Sequence, residues 1–90
     1  MIKAEEARKQ TVTDFEWADV IEENICTKIK DAAEKGMNHV GAWVYDRHDK
    51  KWLGDIPDAV IEELEWRFIE AGYKLKWQGK NSYIERVIEW

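Results

Sequence analysis

His39-Val40-Gly41-Ala42-Trp43-Val44-Tyr45 is the stretch on which the fold turns. It is rich in β-branched and aromatic residues and lies between two segments of helical periodicity, so it reads as the first strand of a small sheet. Alternation places Val40, Ala42 and Val44 on one face of that strand, and His39, Gly41, Trp43 and Tyr45 on the other. A face with that much aromatic surface has to be covered or used.

Toward the N-terminus, Ala18, Ile21, Ile25, Ile29 and Ala32 recur at three- and four-residue steps and predict an amphipathic helix from about Asp14 to Lys35. Thr13 followed by Glu16 has the spacing of a capping box for its start, and Gly36 suits its left-handed end. Residues 1–12 read as a short polar helix, docking through Ile2, Ala4 and Ala7, or as a flexible arm. The β-branched run Thr11-Val12-Thr13 separates them from the long helix.

Toward the C-terminus, Asp46 to Asp55 is a polar connection holding Arg47, His48, Lys50, Lys51 and Trp52. Loops on a rigid frame are where function concentrates, which makes this a candidate contact region. Pro57 and Asp58 then open a second helix with Ile61, Leu64, Phe68 and Ala71 inward, and Gly72 closes it. A hairpin follows, from Tyr73-Lys74-Leu75-Lys76-Trp77 through the turn residues Gln78-Gly79-Lys80-Asn81 to a last strand over 82–90. In that strand Arg86 shares a face with Ile84, Ile88 and Trp90. Either it is paired in a partly buried position or a bulge changes the register near it.

The order helix, strand, helix, strand, strand predicts one α+β domain over residues 1–90. Its three-stranded, mainly antiparallel sheet would have the order 1-3-2, with the last strand inserted between the others and two long helices on one face. The open face would then show His39, Trp43, Tyr45, Lys74, Lys76, Tyr83, Glu85 and Val87.

Composition bounds the function classes. Ninety residues, 44% of them apolar and 37% charged, suit one folded domain with a net stability of roughly 5 to 13 kcal/mol. The net charge of −5 argues against general nucleic-acid binding. The charged opening and the lack of a long apolar run lead to the expectation of a cytoplasmic protein with neither membrane span nor secretory signal. Cys26, the one cysteine, has no internal partner and reads as a small buried apolar residue on the helix. Six tryptophans are more than a core this small encloses, so some belong at contacts.

Nothing in the chain has the spacing of a nucleophile with its base, a phosphate loop or a helical zinc motif, and an enzyme is the least favoured class. His48 between Asp46 and Asp49 is the nearest approach to a metal or acid–base cluster, and so short a polar run is usually a solvated loop. No cofactor is expected. The candidate partner- or ligand-binding residues are His39, Trp43, Tyr45, Arg47, Lys50, Lys51, Trp52 and Tyr83. They suit self-association into a homo-oligomer, or a host or phage protein partner. Alternatively, a small nucleotide would stack on Trp43 or Trp52 with Arg47, Lys50 or Lys51 on its phosphate.

The segments Lys3-Ala4-Glu5-Glu6-Ala7-Arg8-Lys9, Ala32-Ala33-Glu34-Lys35-Gly36, Trp43-Val44-Tyr45-Asp46, Ala71-Gly72-Tyr73-Lys74-Leu75-Lys76-Trp77 and Ile88-Glu89-Trp90 together resemble the small αβαββ proteins encoded by tailed phages and prophages. The resemblance implies a small non-catalytic binder: an inhibitor of a host or defence protein, a sequestering protein or a virion component. It carries over no functional residue.

Overall fold

A computed structural model of the chain describes residues 3–90, with the backbone alone over 4–14 and at residue 80. The predicted docking of Ile2, Ala4 and Ala7 lies outside the described side chains. Helix α1 runs unbroken from Ala4 to Glu34, without a side-chain cap at its start. The predicted break at Thr11-Val12-Thr13 is absent, because β-branched residues cost a helix interior only about 0.7 kcal/mol each or less. Thr13 and Glu16 lie inside the helix and start nothing.

Strand β1 (His39–Asp46) follows, then a short β2 (Lys51–Trp52), helix α2 (Asp58–Glu70), β3 (Lys74–Lys80) and β4 (Tyr83–Glu89). Both helices end in the same way. The Met37 N–H reaches back to Ala32 O at 2.9 Å and the Tyr73 N–H to Phe68 O at 3.0 Å. Gly36 (φ 80) and Gly72 (φ 95) supply the left-handed turn that each closure requires.

All strand pairs are antiparallel and the sheet order is β2-β1-β4-β3. The three substantial strands therefore lie as expected, with the last between the other two. The predicted loop after β1 is instead a hairpin that adds β2 at the edge. Asp46, almost buried, nucleates its turn by accepting from the His48 and Asp49 N–H groups at 2.9 and 3.2 Å.

One irregularity decides which side chains face which way. Gly41 pairs with Val87 and Val44 with Glu85, so three steps on β1 match two on β4 and the strand carries a bulge at Ala42–Trp43. Before the bulge, Val40 points toward the helices; after it, Trp43 and Tyr45 do. Trp43, expected on the open face, is 3% exposed and packs against Phe68 with ring centroids 6.4 Å apart. Val44, expected inward, lines a depression on the open face with Tyr83 and Glu85.

The core joins Ala18, Ile25 and Ile29 of α1 to Val60, Ile61, Leu64 and Phe68 of α2, with Trp43 and Ile88 rising from the sheet. Arg67 clamps the helices from outside, donating to Asp19 and Glu22 at 2.7 Å and to Glu63 at 2.9 Å. Arg86, the conflict in the last strand, is paired as one of the two expectations had it, and the bulge lies opposite it on β1. Its side chain lies over Trp77 at 4.3 Å, with Nε 3.4 Å from Glu65. Cys26 is exposed, contrary to expectation, because the buried stripe passes through Ile25 and Ile29 beside it. Partial burial and the Glu22 carboxylate raise its thiol pKa.

Candidate functional site

The bulge divides the eight candidate residues. Trp43 belongs to the core. Tyr45 lies against Trp52 edge to face at 4.9 Å, and Trp52 stacks on Trp77 at 6.1 Å and 20°. The Trp52 indole N–H donates to Asp58 Oδ1 at 2.8 Å, which fixes the ring at the start of α2. Tyr45, Trp52, Trp77 and Arg86 thus form a continuous stack that closes one end of the core, and one face of Trp52 is occupied by it.

Arg47, Lys50 and Lys51 are exposed on the β1–β2 hairpin. Lys51 pairs with Asp55 at 3.1 Å, and this hydrogen bond raises its pKa above the ordinary lysine value. The Arg47 guanidinium instead turns toward Gly79, where Nη2 would lie 3.5 Å from an added Cβ. The hairpin cations therefore do not converge with a free aromatic face. Among the described residues, no group of three or more His, Cys, Asp or Glu side chains is placed to hold a metal ion.

His39 and Tyr83 do lie on the open face, with Val44, Glu85, Val87 and Glu89 and the β3 side chains Lys74, Lys76 and Gln78. Lys76 bonds Glu89 at 2.9 Å, which holds the Glu89 carboxyl below its ordinary pKa. One depression cuts this face and a second opens at its β1 edge. The smaller, about 140 Å3, is lined by Val44, Gln78, Tyr83 and Glu85. The larger, about 400 Å3, has a floor of Gly41, Gln78, Glu85 and Val87 and a wall from α1. Pockets of ~300 to 1,000 Å3 are the size that takes small ligands.

Lys28, Asp31 and Lys35 form that wall, with Met37 and His39 at its end. Their spacing of three and four residues was a visible signal, since it puts them on one stripe at the margin of the buried face. Asp31 and Lys35 pair at 3.0 Å. Gly41 was also visible, because a glycine inside a strand marks a bulge or a close approach. Here it stands next to the bulge and at a close approach: an added Cβ would lie 2.6 Å from Glu85 Oε1.

The atom in the way at Gly41 is the end of a flexible side chain, so Gly41→Ala is expected to displace the Glu85 carboxylate rather than strain the backbone. Urea denaturation should place the variant within about 1 kcal/mol of the parent. A larger loss would mean that Glu85 is fixed in the groove floor.

No family model, curated protein or solved structure matches the chain. Among the described residues, no helix is long and apolar enough to cross a membrane. The chain is a small α+β domain with two helices on an antiparallel sheet.

Proposed function

We propose that this is a non-catalytic binding protein that acts on another protein and associates with itself, an accessory protein of the phage or prophage kind directed at a host or defence factor. The observation that carries the reading is a groove at the β1 edge of the sheet. It runs from the flank of α1 around that edge onto the face opposite the helices, its lining is mixed in charge, and its floor contains the nearly buried Val87. Exposed apolar side chains on the helical side, Trp66 at 59% and Ile69 at 56%, offer a second contact surface for self-association.

Nucleotide sequestration loses its support. Trp43 is enclosed, one Trp52 face is stacked on Trp77, and the hairpin cations lie elsewhere. Native mass spectrometry of the protein purified from cells that naturally express it tests the reading. The expected spectrum contains multimers or complexes with a second polypeptide. A monomer carrying only a nucleotide-sized added mass would reinstate sequestration, and a bare monomer at micromolar concentration would remove self-association.

A further inference from the structure

Among the described residues, no neighbouring strand takes up the main-chain groups of two residues of β1. The Trp90 N–H donates to Asn38 O at 2.9 Å, and this pair continues the register His39↔Glu89, Val40↔Ile88, Gly41↔Val87. Bonded and non-bonded pairs alternate in an antiparallel ladder, so Val40 turns its N–H and C=O toward β4 while His39 and Gly41 turn theirs away. Beyond the bulge, the Arg47 N–H donates to Ser82 O at 2.8 Å, which makes Val44 and Asp46 the outward-facing residues. There β2 takes them: the Leu53 N–H donates to Val44 O at 2.8 Å and Lys51 pairs with Asp46. Its coverage stops there, and among the described residues no backbone partner is found for His39 or Gly41.

This uncovered length of edge opens into the groove of about 400 Å3. Exposed edges attract other chains unless guarded, commonly by lysine. The β3 edge at the far side of the sheet carries Lys74 and Lys76, whereas Gly41 presents no side chain at all.

We propose that the groove takes an extended segment of a partner protein as an added strand, bonded to the main chain of His39 and Gly41, with an acidic side chain against Lys28. This rests on the binding function proposed above and specifies its occupant. An added strand lies ~4.8 Å from β1 with its side chains alternating between faces. The residue opposite Val40 points to the α1 wall, where Lys35 is taken by Asp31 but Lys28 has no carboxylate partner among the described residues. The residue opposite Gly41 falls on the open face beside Glu85, a position for a basic or hydroxyl side chain.

Random linear peptides displayed and selected against the full chain test this. Bound peptides are expected to slow hydrogen exchange at the His39 and Gly41 amides. N-methylation at alternate peptide bonds should weaken binding more than about tenfold in one phase and leave it unchanged in the other. Lys28→Glu should weaken it about tenfold with the helical circular dichroism unaltered. Indifference to N-methylation, or amide changes confined to the surroundings of Trp66 and Ile69, overturns strand addition and leaves the binding function standing. Failure to enrich any peptide also overturns it; the binding function itself falls only on the mass-spectrometric result.

Discussion

Trp43→Ala is expected to remove about 3 to 5 kcal/mol of stability, a large part of the roughly 5 to 13 kcal/mol available to a chain of this size. The indole is 3% exposed, its ring meets Phe68, and it belongs to the cluster that joins both helices to the sheet. Alanine would leave a cavity between layers whose other members are fixed by their own strands and helices. Urea denaturation followed by far-ultraviolet circular dichroism should therefore show a sharply lowered midpoint, with the helical signal lost together with the sheet. Trp43→Phe separates packing from polarity. The indole N–H is buried without a hydrogen-bond partner among the described residues, and an orphaned donor costs about 1 to 3 kcal/mol. Phenylalanine keeps an aromatic ring in the site and removes that donor, so its loss should stay below about 2 kcal/mol. A Trp43→Ala variant with an unchanged midpoint would return Trp43 to the surface and reverse the assignment of faces along the second half of β1.

The same residue explains why the fold was legible in the sequence and the site was not. Hydrophobic periodicity and two helix-ending glycines locate the helices, and the hairpin places the last strand in the middle of the sheet. Those features act over a turn or a strand, and each leaves a local pattern. The faces depend on a single extra residue at Ala42–Trp43, and a one-residue shift sends every later side chain to the opposite side. Alternation along β4 does hold: Arg86 shares the helix-side face with Ile84 and Ile88 and is accommodated there over Trp77 and beside Glu65. The conflict visible in the sequence was therefore no guide to the bulge, which lies on the partner strand, where the run from Val40 to Tyr45 alternates without a fault. The groove wall was hidden for a different reason. Lys28, Asp31 and Lys35 look like any solvated stripe until the sheet edge is known to end short of them. The Trp52–Trp77 contact joins strands at opposite edges of the sheet, a proximity that no spacing along the chain encodes.

Arg67→Met is expected to cost about 2 to 3 kcal/mol, less than a fully buried ion pair because its carboxylates remain partly in water. The Arg67 side chain is 18% exposed, while those of Asp19, Glu22 and Glu63 are 66%, 39% and 27% exposed. Desolvation lowers the Arg67 pKa, but the hydrogen bonds to the three acids outweigh it and raise the pKa above the ordinary arginine value, so the clamp stays charged at any working pH. Methionine fills much of the same volume and leaves three carboxylates close together without their cation. Two signatures identify this cause in chemical denaturation. Arg67→Lys should fall between parent and Arg67→Met, since one ammonium cannot reproduce the forked contacts. The difference between Arg67→Met and the parent should shrink as sodium chloride is raised toward about 1 M, where charges are screened beyond ~3 Å. A Met variant as stable as the parent would show that the three contacts contribute nothing net. At 100° per residue, Asp19 and Glu22 lie on the flank of α1 toward α2, and Lys28 and Asp31 on the other flank, toward the groove. Without the clamp, α1 is expected to shift on the core and carry the groove wall with it. Arg67→Met should therefore also weaken binding of the proposed strand under conditions where the variant is still folded, although Arg67 does not line the groove.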